Sequence, residues 1–137
     1  MYPHKRILIV EDDFDDRELL IDAIRSRESA PEIAVAENGR QAVEYLESLK
    51  GDSRMPCLIV LDLNLPYLSG HTVFDELRKN AALRDVPVIV FTSSLSPHDK
   101  DHFTSMGVEF ISKPMDYKEM DQIAAHILEV CIGNTIG

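Results

Sequence analysis

Four short groups of polar residues hold the chemistry of this sequence, and each ends a hydrophobic run. Glu11, Asp12 and Asp13 follow RILIV (Arg6–Val10), and Asp62 follows CLIVL (Cys57–Leu61). Thr92, Ser93 and Ser94 follow PVIVF (Pro87–Phe91), and Lys113-Pro114 follow VEFIS (Val108–Ser112). Carboxylates gathered in one place repel one another. A hard divalent cation relieves that repulsion, and magnesium in particular takes oxygen ligands, one or two carboxylates and several waters. An aspartate at its ordinary pKa of about 3.9 is ionised at neutral pH and can attack phosphorus to give an acyl phosphate. A hydroxyl and a lysine beside it offset charge on a transferring phosphoryl group, and such chemistry is mostly positioning and electrostatics. Taken singly, each group has an ordinary reading: a solvated acid pair, a helix cap, a turn. The combination points to phosphoryl transfer with Asp62 as the nucleophile.

These residues meet only if the intervening elements bring them together. The five runs named or implied above, with EIAVA (Glu32–Ala36) as the second, alternate with amphipathic segments. One segment carries Leu19, Leu20, Ala23 and Ile24, the next Ala42, Tyr45, Leu46 and Leu49, and a third Val73, Phe74 and Leu77. A short fourth opens at Ser96-Pro97, a cap followed by proline at the first helical position. The last has Met120, Ile123, Ala124, Ile127, Leu128 and Cys131 at helical spacing. Strand–helix alternation predicts an α/β fold: a (βα)5 doubly wound parallel sheet of five strands, order 2-1-3-4-5, with helices on both faces. Ligands of such sheets bind beyond the carboxyl ends of the strands, where the four polar groups lie. The sequence reads as one domain over 1–137, its core about 5–130. Gly51-Asp52-Ser53-Arg54 reads as a surface connection, and Ile132–Gly137 as a fraying tail.

Composition narrows the classes of function. The 137 residues carry a net charge of −10 and are 45% hydrophobic. That hydrophobic share suffices for a packed core. Nucleic-acid binding rests on Lys and Arg neutralising phosphates, so a chain this acidic is not expected to bind DNA or RNA directly. No apolar run approaches the ~20 residues of a membrane helix, and the N-terminus has no signal-peptide pattern. Cys57 and Cys131 are far apart in sequence, and Cys57 reads as a small buried hydrophobe. A reduced, cytoplasmic setting is the default expectation.

The stretches ILIVEDD, AENGRQA, LIVLDLNLPYLSG, PVIVFTSS and FISKP, in that order and spacing, closely resemble the receiver domain of two-component response regulators, over about Lys5 to Val130. The resemblance implies a flavodoxin-like fold and reversible phosphorylation of Asp62 by a sensor histidine kinase, with Mg2+ as cofactor. It further implies that Glu11 and Asp12 are the acidic pair, Asp12 being the direct metal ligand. Asn64 would bind the metal through its backbone carbonyl, Thr92 would be the switch hydroxyl, and Lys113 would pair with phosphate. The Lys113–Pro114 bond would be cis. The switch aromatic falls on Phe110, which lacks the hydroxyl of the more usual tyrosine. LNLP and the absence of an output domain look most like small regulators paired with bacterial phytochrome kinases. Pro66 stops the strand and Gly70 permits a tight turn into the third helix.

Signalling would then leave through the fourth helix, fifth strand and fifth helix. That face would include Phe103, Phe110 and the exposed side of the helix from Asp116 to Cys131, with Tyr117 and the ends near Cys131 as anchors for a second copy, a kinase, a phosphotransfer protein or another downstream protein. His98, Asp99, Lys100, Asp101 and Glu119 would form its charged rim. Three other classes are weaker. A phosphomonoester hydrolase would want a second acid where Asn64 stands, and a cap domain. A flavodoxin-type electron carrier would want a phosphate loop where EDDFDD would repel one. A degenerate receiver would have lost Asp62, Asp12, Thr92 or Lys113.

Overall fold

The computed structural model describes residues 5–27, 30–49, 55–81, 83–94 and 96–133. Strands and helices alternate: β1 (Arg6–Val10), α1 (Phe14–Arg25), β2 (Glu32–Ala36), α2 (Gly39–Ser48), β3 (Leu58–Leu61), α3 (Gly70–Lys79), β4 (Val88–Thr92), α4 (Pro97–Ser105), β5 (Glu109–Ser112) and α5 (Tyr117–Gly133). All strand pairs are parallel, in the order β2-β1-β3-β4-β5. The expected doubly wound sheet is therefore present. The Gly51–Arg54 connection and positions 134–137 of the expected tail lie outside the described residues, while Ile132 and Gly133 continue α5 rather than fraying.

Side chains alternate across the sheet, as a period of two requires. Ile7, Ile9, Leu58, Val60, Ile89 and Phe91 face one side and pack with Leu20, Ile21 and Ile24 of α1 and Met120, Ala124, Ile127 and Leu128 of α5. Leu8, Val10, Ile59, Leu61, Val88 and Val90 face the other, against Ala42 and Leu46 of α2, Val73, Phe74 and Leu77 of α3, and Phe103 of α4. The central strands β3 and β4 are buried along their whole length, whereas the edge strands β2 and β5 are only partly covered. Burial on both faces explains why the central runs are continuously apolar.

All five helices begin on a side-chain cap; at α5, Asp116 accepts the Glu119 N–H at 2.8 Å. Asp13, Asn38, Ser69 and Ser96 accept the backbone N–H of Asp16, Gln41, Thr72 and Asp99 respectively. Each cap satisfies a donor that the first helical turn would otherwise leave unpaired. Asp13 thus has a structural role in orienting α1, and with it Asp16.

Two expectations change. Cys57 and Cys131 are not separate thiols but a disulfide, with a Cα–Cα distance of 5.0 Å. The reason is topological: α5 runs back across the sheet, so its last turns arrive over the start of β3. Alkylation of the denatured, unreduced protein should label neither cysteine. Reduction should label both and lower the unfolding free energy, by up to about 4.5 kcal/mol for a closed loop of this size; labelling before reduction would refute the pairing. The Lys113–Pro114 bond is trans, as are all peptide bonds among the described residues. A tertiary amide separates its isomers by only about 0.5–1 kcal/mol, so either is compatible with the local chemistry.

Candidate functional site

The register decides what meets at the carboxyl ends of the strands. Val10 lies level with Leu61, and Leu61 with Val90. Glu11 and Asp62 therefore emerge side by side, with Asp62 N–H donating to Val10 O at 3.1 Å. Thr92 pairs with Ser112, and Lys113 N–H donates to Thr92 O at 2.9 Å. Alternation then aims Glu11, Asp62 and Lys113 toward the α1/α5 face.

There the Lys113 ammonium sits among three carboxylates. Its Nζ is 2.5 Å from Glu11 Oε1, 2.8 Å from Asp16 Oδ2 and 3.2 Å from Asp62 Oδ2. Glu11 and Asp62 are buried, and Asp16 is half-exposed. Burial pulls the lysine's pKa down, but the hydrogen bonds it donates to Asp16 and Glu11 and the charge of Asp62 outweigh it, so Lys113 stays protonated. Burial is also the largest influence on Glu11. Lys113 opposes it, Asp62 adds repulsion, and the Glu11 carboxyl is pushed up to about 7. One cation does not balance this many acids. Glu11, Asp12 and Asp62 each present an oxygen, all within 4.8 Å of one another. Two buried acids and one exposed acid, oxygen donors only, suit a hard divalent ion and not a soft one.

The loop after β3 holds Asp62 from below. Asn64 N–H donates to Asp62 Oδ1 at 3.3 Å, and Gly70 N–H donates to Leu63 O at 3.0 Å. Leu68 N–H returns to Pro66 O at 2.9 Å across Tyr67, which has φ 69°. That is a tight turn with a left-handed, non-glycine centre, a conformation held only where surrounding structure enforces it. β3 has already ended at Leu61, so Pro66 shapes the turn rather than stopping the strand.

Thr92 does not join the acids. It is fully buried, alternation turns it toward α4, and its Oγ1 accepts Ser94 N–H at 3.2 Å. Phe110 is partly buried, 6.4 Å from the Phe103 ring. Two residues of the anticipated output surface are corrected. Phe103 is fully buried beneath α4, with Phe74 edge-on at 5.2 Å, and Cys131 is buried in its disulfide. Neither is available on that surface. Asp16 was not anticipated at the cluster. The available signal is the spacing Asp13-x-x-Asp16, in which the cap fixes the first turn of α1 and so presents Asp16 to the strand ends.

A doubly wound parallel sheet with carboxylates and a lysine gathered at its carboxyl edge defines an α/β domain with a charged, cation-sized oxygen cluster. The chain matches the response regulator receiver domain family over residues 7–125 and belongs to it. It is 30% identical to the probable methanogenesis regulatory protein FilR2 of Methanothrix harundinacea, over 93% of this chain and 83% of that one. It is 35% identical to response regulator Rcp1 of Synechocystis, over 72% and 67%. It spans only 64% of another relative, the Arabidopsis thaliana regulator ARR15. Among solved structures it resembles the phosphorylated cyanobacterial phytochrome response regulator RcpA, with TM-score 0.84, 30% identity and 94% of each chain covered. It also resembles the Mn2+-bound form of Rcp1, with TM-score 0.79, 29% identity and 90% and 91% covered.

Proposed function

We propose that this protein is a phosphorylation-dependent signalling switch that takes a phosphoryl group from a sensor histidine kinase onto Asp62. The observation that carries this reading is the cluster of buried Asp62 and Glu11 around the Lys113 ammonium at the sheet's carboxyl edge. A carboxylate oxygen of Asp62 attacks phosphorus. The P–N bond of the donor phosphohistidine breaks, its electron pair stays with the imidazole, which takes up a proton, and an acyl phosphate remains on the protein. Lys113 faces Asp62 and offsets the incoming negative charge. Glu11, Asp12 and Asp62, with the Asn64 carbonyl, would hold Mg2+, whose contribution is to neutralise charge on the phosphoryl oxygens. Thr92 would then donate its hydroxyl to a phosphoryl oxygen, and Phe110 would follow it inward. The protein promotes only its own phosphorylation and dephosphorylation and turns over no other substrate.

A kinase must bring its phosphohistidine to the mouth between α1 and the β5–α5 loop. Exposed apolar side chains stand there: Phe14, Leu19, Met115 and Tyr117, with Leu19, Pro114, Met115, Tyr117 and Met120 lining one shallow pocket. That rim suits a partner's apolar helix face. Similarity to phytochrome response regulators makes a phytochrome-type kinase the favoured donor. We further read the chain as a single receiver domain over 1–137, working in the cytoplasm beside its kinase, although the Cys57–Cys131 disulfide removes the argument from free cysteines for a reduced setting. Its output passes through the exposed parts of α4, β5 and α5 to a protein partner, a phosphotransfer protein or a second copy, without direct contact to nucleic acid. Among the described residues, no helix is long and apolar enough to cross a membrane.

Acetyl phosphate with Mg2+ should add one phosphoryl mass to the intact protein, and a chelator should prevent it. An adduct that forms equally well in the chelator would refute the cation's role, and no adduct from acetyl phosphate or from any phosphorylated kinase would refute the function.

A further inference from the structure

The loop between β4 and α4 is tied to α3 by a chain of hydrogen bonds lying outside the acid cluster. His71 Nε2 donates to Asp99 Oδ1 at 2.9 Å. Asp99 Oδ2 accepts the Ser94 hydroxyl at 3.2 Å. The Ser94 oxygen in turn accepts Ser96 N–H at 3.3 Å, and the Ser94 N–H donates to Thr92 Oγ1 at 3.2 Å. His71 lowers the pKa of Asp99, as expected of a carboxylate accepting a charge-assisted bond. The His71 ring also lies 5.6 Å from that of Phe103.

Both ends of this chain matter. His71 is the second residue of α3, directly after Gly70, whose N–H is fixed on Leu63 O beside Asp62. The anchored end therefore belongs to the same rigid loop that carries the acceptor aspartate. The other end is the Thr92 hydroxyl, which must leave its Ser94 partner to reach a phosphoryl group on Asp62. Moving Thr92 across means shifting Ser94, and Ser94 cannot shift without stretching its bond to Asp99.

We propose that His71, Asp99 and Ser94 form a latch that holds the β4–α4 loop in its resting position and opposes the movement of Thr92. The inference rests on the function proposed above. His71 is a positioning residue, acting on Thr92 through Asp99 and Ser94. A bond present in the resting form and absent in the phosphorylated one biases the equilibrium by its whole net strength.

The test is beryllofluoride with Mg2+, titrated into the full chain and followed by NMR. His71→Phe keeps the ring against Phe103 and removes the donor. It should tighten apparent beryllofluoride binding about fivefold, the shift expected of one net hydrogen bond, and speed amide exchange at Ser94 and Ser96 in the unliganded protein. His71→Gln, whose amide donates from a similar position, should bind beryllofluoride as wild type does. A purely structural role would weaken binding on substitution, so tighter binding is diagnostic. If wild type binds beryllofluoride and His71→Phe binds it no more tightly, the latch is overturned and the functional reading stands. If wild type binds none, the functional reading falls and the latch falls with it.

Discussion

Asp62→Asn should fold as wild type does and take up no phosphoryl group. The amide keeps the shape of the carboxylate but has no anionic oxygen to attack phosphorus. Removing one partner of a buried ion pair is usually destabilising because it strands the other charge. Here the Lys113 ammonium retains Glu11 at 2.5 Å and Asp16 at 2.8 Å, so no charge is stranded. The substitution also removes the charge and the hydrogen bond through which Asp62 raises Glu11, whose pKa should move back toward the ordinary carboxylate range. The loss of phosphorylation will therefore be separable from loss of structure. Intact mass after incubation with acetyl phosphate and Mg2+ measures the first, and chemical denaturation the second. An undiminished adduct in the Asn variant would place the acceptor elsewhere.

The second large effect belongs to a residue with no side chain. Replacing glycine by alanine in an exposed helix usually stabilises it, by about 1 kcal/mol. At Gly70 the sign should reverse. A Cβ there would overlap Asp62 O and stand 2.6 Å from Leu63 Cα, and these are backbone atoms that cannot rotate away. Overpacking of this kind typically costs about 1–3 kcal/mol. Since the displaced backbone is that of Asp62 itself, Gly70→Ala should lose stability in denaturant and also slow phosphorylation by acetyl phosphate. Equal or greater stability than wild type would show that the contact is easily relieved. The sequence suggested a glycine for a permissive turn. The structure assigns it a different reason: close approach of helix α3 to the backbone at the end of β3.

That difference illustrates what one-dimensional pattern conveys. β1 and β2 were legible to the residue, because an apolar run bounded by polar groups has few other interpretations. The grouping of Glu11, Asp12, Asp62 and Lys113 was legible because the strand order brings the ends of β1, β3 and β5 to one edge of the sheet. Contacts that depend on how a helix is aimed were not. Asp16 reaches Lys113 across 97 positions, and only the cap at Asp13 indicates which way α1 points. Cys57 and Cys131, separated by 74 positions, meet because α5 is long enough to return over β3. Phe103 looked available on a short, polar helix, yet it is the one side chain α4 buries.

The alternation of side chains gives the molecule two compartments separated by the sheet. The ammonium and acids lie on the α1/α5 side, while Thr92 and the chain running to His71 lie on the α3/α4 side. Changes in the first compartment should alter how fast the protein is charged, and changes in the second should alter how strongly it reports that charge. Rate and gain are then separate dials on one small domain. A lineage could retune its response to a signal without touching the chemistry that receives it.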